Sequence, residues 1–570
     1  MIRQNPFRFL TPAGLAAVCG LLFAPTACDN IHVTRYFERA AVVSAAPLAT
    51  DAGVKVFRNG GNAFDAAVVV GFVLAVVNPE AGNIGGGGFA VMRHGASGEI
   101  TTLDFRETAP AAAHEAMFLD DSGRVIEGHS LVGAKAAGVP GTVAGLYAIW
   151  QKYGSLPWED LVRTAADLAD TGFTVDERLA ATLAEHADSL RRYPETARLF
   201  APTGATPSKG ERFVQSDLAH TLYQIAAEGP EAFYTGAVAA LIDSTMRVHG
   251  GLITRDDLAA YKALWRTPVH VRFDSLDVYS MPPPSSGGIV LGQILKIMEP
   301  FDMSTWLPDS PEYLRLLVES SRLAFADRAT HLGDPDFYEI PAGLLDDAYL
   351  RIRRELIPAS GAGSSSQIGP GMPMRPETEA TTHFSVCDAD GNMVALTYTL
   401  NSWYGSLVAV DGAGFLLNNE MDDFSIKAGE PNQFGLVGGD ANKIVPGKRM
   451  LSSMTPTLVL NNGRPCMVLG SPGGSKIISA VAQTILNVSR FNMSLNEAVL
   501  QPRVHHQWIP DKVSLEQGGY SVAVIQRLIR EGYDVEEVKP IGNVNAILIE
   551  STGLMQAVAD TRRQGVAGGY

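Results

Sequence analysis

The sequence predicts a globular protein that contains both helices and β-strands, grouped in separate blocks along the chain. Hydrophobic residues make up 46% of the 570 residues and charged residues 19%, a balance that provides an ample core and argues against disorder. Residues 142–265 carry mainly helical patterning, whereas the segment that follows, "VHVRFDSLDVYS", alternates in the manner of a half-buried strand. A length of 570 residues allows several domains or one large one.

The first strong element is an apolar run of helix length, "NAFDAAVVVGFVLAVV" (residues 62–77), which ends at Asn78-Pro79. The charged Asp65 and the proline stop favour a buried core helix over a membrane span. A glycine cluster, "NIGGGG", follows and does not open a helix as a dinucleotide fingerprint does. It leads into "AVMRH" and "ITTLDF", which predict a β-hairpin with Gly95 and Ser97-Gly98 at its turn.

Charge and cysteine usage exclude several classes of function. The formal net charge of −16 repels nucleic acid and anionic lipid surfaces, so no polyanionic partner is expected. The four cysteines (Cys19, Cys28, Cys387 and Cys466) form no CxxC pair that would indicate zinc. A disulfide between Cys387 and Cys466 has no support in the sequence, and both residues are predicted to serve in packing. We expect neither a metal nor a cofactor.

Residues 1–27 have the pattern of a signal peptide. Arg3 and Arg8 precede the apolar stretch "LTPAGLAAVCGLLF", and "APTAC" offers small residues for cleavage. At about 15 residues the apolar stretch is shorter than the ~20 that a bilayer requires. Because it ends at Cys28, the segment resembles a bacterial lipoprotein signal, although Pro25 stands where such signals prefer an aliphatic residue. We expect a periplasmic or extracellular protein, and lipid anchoring through Cys28 stays open.

Residues 358–380 interrupt the regular patterning. Twelve of these 23 residues are Gly, Pro or Ser, which predicts a mobile, exposed segment and, from composition alone, a domain linker. The next segment, "TTHFSVCDADGNMVALTYTL", predicts two strands joined by a turn at "DADG". A turn centred near Ala389 and Asp390 places Thr381 opposite the neighbourhood of Thr399, with Asn401 just beyond.

A threonine that begins a chain can act as a catalytic nucleophile. The hydroxyl needs a base to remove its proton, and the α-amine of an N-terminal threonine, with a pKa of about 8, can be that base. Such an enzyme must first be cut just before the threonine. A flexible segment followed by Thr381 at a strand start fits this requirement, although two threonines at a strand start also follow from β-propensity alone.

Several motifs resemble those of γ-glutamyltranspeptidases, which are N-terminal nucleophile hydrolases. In chain order they are "NGGNAFDAAVV", "GNIGGGGFAV", "LDFRETAP", "TTHFSV", "VALTYTLNSWYGS", "GFLLNNEMDDFS", "PNQFGLVGGDAN", "KRMLSSMTPTLV", "LGSPGGSKI" and "QPRVHHQW". The resemblance covers roughly residues 40–570. It implies an α+β fold of the N-terminal nucleophile hydrolase type: a four-layer αββα sandwich with two stacked antiparallel sheets flanked by helices.

The resemblance also implies how the chain matures. Self-cleavage between Ala380 and Thr381 would give a large subunit, residues 28–380, and a small catalytic subunit, residues 381–570. The two would remain associated as one intertwined domain, because each supplies strands to a shared core.

Catalytic roles follow from the same resemblance. Thr381 would be the nucleophile both in cleavage of the precursor and in turnover, and Thr399 would hydrogen-bond the freed Thr381 amine. Gly473 and Gly474 of "SPGGSK" would supply backbone N–H groups to an oxyanion hole. A phosphate loop is the alternative, but the spacing departs from GxxxxGK[ST].

One set of residues is implied in binding the α-carboxylate of a glutamyl group. Arg106 suits this task because its planar fork binds a carboxylate with two hydrogen bonds. The alternative for Arg106 is a surface salt bridge with Glu107 or Asp104. Ser452 and Ser453 would add hydroxyl donors to the same carboxylate.

A second set is implied in binding the α-ammonium of that group: Asn401, Glu420 and Asp423. Without the resemblance, "NNEMDDF" would be interpreted as a solvated acidic loop. Asp422 is expected to be a bystander. Phe434 lies where many family members carry a lid loop over the pocket, at a position where bacterial transpeptidases often have tyrosine.

Three histidines are assigned structural roles. Adjacent residues on a strand face opposite ways, so His505 and His506 are expected to pack and hydrogen-bond rather than bind a metal. His383 lies two residues from Thr381, but the α-amine already provides a base, and a buried core role is expected.

The sequence therefore predicts a secreted γ-glutamyltranspeptidase and glutathione hydrolase. A γ-glutamyl-enzyme would form on Thr381 and pass its acyl group to water, an amino acid or a peptide. A cephalosporin or glutaryl acylase is the nearest alternative, because it keeps the nucleophile but accepts acyl groups without an α-ammonium. A periplasmic γ-glutamyl-peptide binding protein without turnover is the alternative from another class.

Overall fold

Two seven-stranded sheets form the centre of the protein. The structure is a computed structural model and describes residues 34–369, 381–427, 433, 439–563 and 565–570. The predicted signal peptide (1–27), Cys28, Ala380 and Phe434 lie outside the described residues.

The strands have the following bounds: β1 Thr34–Phe37, β2 Ala40–Ser44, β3 Gly87–Arg93, β4 Ile100–Phe105, β5 Phe173–Thr174, β6 Arg212–Phe213, β7 Leu264–Arg266, β8 Val269–Phe273, β9 Leu276–Ser280, β10 Thr382–Asp388, β11 Met393–Thr399, β12 Thr457–Asn461, β13 Arg464–Gly470, β14 Val504–His505, β15 Val513–Glu516, β16 Val535–Val538, β17 Asn545–Ile549, β18 Met555–Ala559 and β19 Val566–Gly569.

The helices have the following bounds: α1 Pro47–Arg58, α2 Ala63–Val77, α3 Thr142–Tyr153, α4 Trp158–Thr171, α5 Glu177–Glu185, α6 Ala187–Leu190, α7 Pro194–Phe200, α8 Ser216–Glu228, α9 Glu231–Tyr234, α10 Ala237–His249, α11 Arg255–Ala260, α12 Gly287–Met298, α13 Pro311–His331, α14 Asp347–Arg354, α15 Lys476–Ser489, α16 Leu495–Leu500 and α17 Val522–Arg530. Single turns of 3-10 helix occur at Ala134–Ala136, Ala342–Leu345, Glu420–Asp423 and Asp440–Asn442.

The sheets stack face to face, and helices cover their outer faces. One sheet has the order β19-β2-β10-β11-β3-β4-β7 and packs against α1–α4 and α8. The other has the order β1-β18-β17-β13-β12-β9-β8 and packs against α12, α13 and α15. Neighbouring strands are antiparallel in both sheets. The predicted four-layer αββα sandwich is therefore confirmed.

The predicted core helix is confirmed as α2, and every one of its residues is buried. Its N-terminus is fixed by a capping box, in which the Asn62 side chain accepts from the backbone of Asp65 and the Asp65 carboxylate accepts from Asn62 N at 3.0 Å. In the part of the chain that the structure describes, no helix is both long and apolar enough to cross a membrane.

The hairpin that carries Thr381 has the predicted register. Strands β10 and β11 pair with Thr382 opposite Tyr398, and continuing by one position places Thr381 opposite Thr399. Gly391 at the turn has φ 80°, in the left-handed region where a glycine is favoured. Both faces of this central hairpin are buried, so a shift by one residue would exchange the side chains that pack on the helices with those that pack between the sheets.

The segment before the predicted cleavage point is less exposed than its composition predicts. Ser365 and Ile368 are both buried. Their carbonyls accept from Trp508 Nε1 at 3.1 and 2.7 Å, and Ser365 N donates to Asp511 at 2.8 Å. The expectation of an exposed segment is wrong for these residues, because distant residues satisfy their backbone groups. Cys387 and Cys466 are free thiols, as expected.

The close approach of the two sheets depends on Gly470. A Cβ atom added there would lie 2.4 Å from Cε1 of the buried His383 ring. We predict that Gly470→Ala lowers the free energy of unfolding by about 1–3 kcal/mol, because the core must shift to admit one methyl group. Chemical denaturation measures this change. Gly439→Ala, at a position with open space around it, is the matched control, and equal effects of the two substitutions would contradict the prediction.

Candidate active site

Thr381 lies just before β10 and is buried. The Thr381 carbonyl accepts a hydrogen bond from Arg563 Nη1 at 3.3 Å. The Arg563 guanidinium lies over the Trp403 ring, 5.2 Å from its centroid. The Thr399 carbonyl accepts from Asn83 Nδ2 at 3.0 Å, which fixes the strand end opposite Thr381.

A chain of hydrogen bonds leads from Thr399 to the acidic turn. Thr399 Oγ1 accepts from Asn401 N at 2.8 Å. Asn401 has φ 75°, a left-handed conformation that asparagine tolerates better than most residues. Its Nδ2 donates to the Asn419 carbonyl at 3.0 Å. Glu420 follows directly, so the hairpin end and the 3-10 turn Glu420–Asp423 are held together.

A buried ion cluster lies at this turn, with Arg106 at its centre. Arg106 is 1% exposed; its Nη1 lies 2.6 Å from Glu420 Oε2, and its Nη2 donates to Asp423 Oδ2. Glu107 lies 3.6 Å from Nη1. The alternative of a surface salt bridge is thus wrong for Arg106. The residues expected to bind opposite ends of an amino acid instead contact one another.

Three carboxyls, those of Glu107, Glu420 and Asp423, surround the Arg106 guanidinium, and the charge of Arg328 also acts on Asp423. Burial raises the pKa of Glu107 to about 7, although Arg106 acts in the opposite direction. Burial likewise raises the pKa of Glu420 and of Asp423. Burial opposes the charge on Arg106, but Glu420 and Asp423 raise its pKa overall. A site with surplus buried carboxyls favours a cationic ligand such as an ammonium group.

Glu107 connects this cluster to the hairpin by a second route. Gly87 pairs with Thr399 across β3 and β11. A Cβ atom at Gly87 would lie 2.8 Å from Glu107 Oε2, so the carboxyl fills the space that a side chain would occupy. From the sequence, Glu107 is expected only as a surface partner of Arg106, and no local pattern relates it to Gly87.

Ser452 and Ser453 lie in the extended segment before β12, and both are buried. Ser452 Oγ accepts from Met454 N at 3.2 Å. Ser453 Oγ accepts from Arg328 Nη2 at 3.0 Å. Arg328 was missed by sequence reasoning, although a charged residue in the buried part of a long helix was a detectable signal.

The glycine loop lies between β13 and α15. Gly473 and Gly474 have φ values of 130° and 54°, which glycine adopts without a steric penalty. Ser471 Oγ in the same loop accepts from Asn543 N at 2.8 Å, and Asn543 Oδ1 accepts from Arg563 N at 2.8 Å. Arg563 also contacts the Thr381 carbonyl, so this series of hydrogen bonds connects the glycine loop to Thr381.

The histidines have the expected structural roles. The buried His383 ring contacts Thr397 Oγ1 at 2.8 Å and Ser385 Oγ at 3.0 Å, and burial lowers its pKa to about 3. The imidazole is therefore neutral near pH 7. His505 contacts Ser479 and His506 contacts Asp511. Among the described residues there is no group of three or more His, Cys, Asp or Glu side chains suited to a metal ion.

Asp422 lies outside the ion cluster, in agreement with its expected bystander role. Its carboxylate accepts from Ser130 Oγ at 2.5 Å and from Gln433 N at 2.9 Å. The structure thus brings Thr381, Thr399 and Asn401 to one end of the hairpin, and joins Arg106, Glu420 and Asp423 beside them.

We predict that Arg106→Gln destabilises the protein in a pH-dependent manner. Removing the guanidinium leaves buried carboxyls uncompensated, which costs about 3–5 kcal/mol at about pH 8. A carboxyl whose pKa is raised in the folded state holds its proton there, so stability recovers as the pH falls to about 5. Thermal unfolding at both pH values measures the effect.

Arg124→Gln is the control, because Arg124 is 79% exposed and pairs with Asp120 at the surface. It should not change the melting temperature at either pH. An Arg106→Gln protein whose loss of stability is the same at both pH values would contradict the electrostatic interpretation.

Comparison with known proteins identifies the family of this chain. The sequence model of the gamma-glutamyltranspeptidase family matches residues 49–570. The glutathione hydrolase proenzyme of Escherichia coli is 44% identical over 536 residues, which cover 94% of this chain and 92% of that protein. The acylase ACY 1 proenzyme of a Pseudomonas species is 36% identical over 537 residues, 93% of each chain.

Solved structures of an acylase and of a gamma-glutamyltranspeptidase are also similar to this chain. The cephalosporin acylase of Bacillus halodurans matches with a TM-score of 0.84 and 26% identity over 96% of this chain and 99% of its own. The gamma-glutamyltranspeptidase of Helicobacter pylori matches with a TM-score of 0.57 and 45% identity, over 58% of this chain and 95% of its own. This chain belongs to the gamma-glutamyltranspeptidase family.

Proposed function

We propose that the protein is a secreted γ-glutamyltranspeptidase and glutathione hydrolase with Thr381 as its nucleophile. Glutathione and other γ-glutamyl amides are the proposed donors, and water, amino acids or peptides the acceptors. The family membership, the 44% identity to a glutathione hydrolase proenzyme and the site geometry support this proposal. Secretion rests on the signal-like residues 1–27.

The observation that carries the proposal is the buried cluster of Arg106, Glu420 and Asp423 at the end of the Thr381 hairpin. A glutamyl group carries an ammonium and a carboxylate on one carbon atom. The ammonium would bind Glu420, Asp423 and the Asn401 side chain, and the carboxylate would bind Arg106. Each substrate charge would replace a contact that the cluster now makes with itself, so no buried charge is left without a partner.

Catalysis begins with cleavage of the precursor. The Thr381 hydroxyl attacks the Ala380 carbonyl and the C–N bond between Ala380 and Thr381 breaks, which forms an ester on the hydroxyl oxygen and frees the Thr381 amine. Water then hydrolyses this ester, which releases the Ala380 carboxylate and restores the Thr381 hydroxyl. In turnover this amine removes the hydroxyl proton, and Thr399 holds the amine in place. The oxygen attacks the γ-amide carbonyl while the Gly473 and Gly474 N–H groups stabilise the oxyanion, each donor being worth about 2.7–4 kcal/mol. The amine product leaves, and water or an acceptor amine releases the glutamyl group.

Maturation into two chains is supported by the relatives and by the sheet order. Relatives are named proenzymes, and the Helicobacter pylori chain aligns with 58% of this chain. Strand β10 lies between β2 and β11. Cleavage before Thr381 would therefore leave a sheet in which β10 and β11 of the small product lie between strands of the large product, and the products would not separate without unfolding.

An acylase that accepts glutaryl or cephalosporin side chains is the second candidate. It is favoured by the TM-score of 0.84 to a cephalosporin acylase and by the 36% identity to an acylase proenzyme. A glutaryl group lacks the α-ammonium and would leave Glu420 and Asp423 without a cationic ligand. For this reason the γ-glutamyl assignment is preferred.

We predict that Thr381→Ala gives one unprocessed chain near 60.8 kDa without γ-glutamyl anilide hydrolysis. The unchanged protein should give bands of about 38 and about 20 kDa, in proportion to residues 28–380 and 381–570 of the 60.8 kDa chain. Denaturing gels and an anilide assay measure both results. Thr382→Ala, one residue further on, should still be processed. Turnover by the Thr381→Ala protein would refute the nucleophile assignment, and an unprocessed wild-type chain would favour a binding protein.

We predict that Asp423→Asn separates the two enzyme candidates. Loss of one charge-assisted hydrogen bond to the ammonium, worth about 2 kcal/mol, should lower kcat/KM for a γ-glutamyl anilide about 30-fold. The value for a glutaryl anilide, which has no ammonium, should stay within about threefold or rise. Equal losses on both anilides would contradict the assigned role, and a wild-type preference for glutaryl would identify an acylase.

A further inference from the structure

Arg328 lies near the end of α13, and two of its side-chain contacts lead to the segment that carries Ser452 and Ser453. It is 3% exposed. Its Nε donates to Ser286 Oγ at 2.8 Å, and its Nη2 donates to Ser453 Oγ at 3.0 Å. Ser453 is one of the two serines expected to bind the α-carboxylate.

The contact with Arg328 fixes the direction of the Ser453 hydroxyl. A guanidinium has only donors, so Ser453 Oγ must act as the acceptor and keeps its single O–H bond for another group. Ser452 is in the same state, because its Oγ accepts from Met454 N at 3.2 Å. Two adjacent hydroxyls are thereby set as donors, which is the arrangement that a carboxylate requires.

Ser286 holds the backbone of the Ser452–Ser453 pair in place. Its Oγ accepts from Arg328 and donates to the Ser452 carbonyl at 2.7 Å. The Ser286 backbone N also donates to the Ser452 carbonyl at 2.7 Å, and Ser452 N donates to the Pro284 carbonyl at 2.9 Å. The backbone of Ser452 is thus hydrogen-bonded to residues 284–286, and Arg328 contacts this segment through Ser286.

Arg328 also supplies positive charge near Arg106, whose guanidinium already contacts two carboxylates. Both Nη atoms of Arg106 contact carboxylates, one from Glu420 and one from Asp423. The charge of Arg328 acts on Asp423, whose pKa it lowers against the larger, opposite effect of burial. A substrate carboxylate approaching the serine pair would therefore meet a second guanidinium behind the hydroxyls.

We propose that Arg328 is a positioning residue of the α-carboxylate subsite, which sets the Ser453 hydroxyl as a donor and adds the positive charge that Arg106 shares with its own carboxylates. The proposal rests on the γ-glutamyl function proposed above. It assigns to carboxylate recognition a residue of helix α13, far in sequence from both Arg106 and Ser453.

The test compares three anilides on purified, processed enzyme. The γ-glutamyl anilide carries both α-groups, the glutaryl anilide carries only the carboxylate, and the 4-aminobutanoyl anilide carries only the ammonium. For Arg328→Gln we expect kcat/KM to fall at least about tenfold on the two anilides that carry the carboxylate and less than about threefold on the third. On the γ-glutamyl anilide the fall should come from a higher KM, with kcat within about threefold.

A purely structural role would give a different result. Loss of folded enzyme lowers kcat on all three anilides by one common factor and leaves KM unchanged, and this outcome would overturn the proposal. Arg353→Gln is the matched control, because Arg353 is also buried and contacts α13 through Asp327 at 3.0 Å, away from the serines. It should lower the melting temperature without changing the ratios between the anilides.

Two further variants keep the test decisive if Arg328→Gln does not fold. Arg328→Lys keeps the charge but loses the planar fork, and Ser286→Ala removes one acceptor of Arg328. Both should raise KM for the γ-glutamyl anilide more than for the 4-aminobutanoyl anilide, and unchanged KM values in both would overturn the proposal. A wild-type enzyme that cleaves none of the three anilides would instead refute the proposed function.

Discussion

The buried contact of Arg106 with Glu420 and Asp423 is the interaction on which the rest of the site depends. Arg106 and Asp423 lie 317 residues apart in the chain. Arg106 precedes the predicted cleavage point, and Glu420 and Asp423 follow it. Removing charges from water is costly unless they are paired, so this cluster fixes the acidic turn against strand β4. In the proposed function, the ammonium and carboxylate of a glutamyl group would replace these paired charges.

The hairpin β10–β11 connects the Arg106 cluster to Thr381, the proposed nucleophile. Its register sets Thr381 opposite Thr399, and the Asn401 side chain continues from there to the acidic turn. Strand β10 is central in its sheet, and Thr381 directly before it is buried, with its carbonyl bonded to Arg563. The proposed cleavage would thus place a new N-terminus in the core of the protein.

Local features of this fold could be predicted from the sequence, whereas contacts between distant segments could not. The "DADG" turn was enough to give the register of the hairpin, and a proline stop was enough to bound α2. The pairing of Arg106 with the carboxylates was not predictable, because a motif states which residues bind a substrate and not what they contact without it. The burial of Ser365 depends on Trp508 and Asp511, which no local pattern relates to it.

The assignment of Thr381 as the nucleophile can be tested by tandem mass spectrometry of enzyme quenched in acid during turnover of a γ-glutamyl anilide. We predict a small-chain peptide that begins at Thr381 and carries one glutamyl group on the hydroxyl oxygen of that residue. A peptide that continues through Ala380 and Thr381, or a glutamyl group attached to another residue, would contradict the claim.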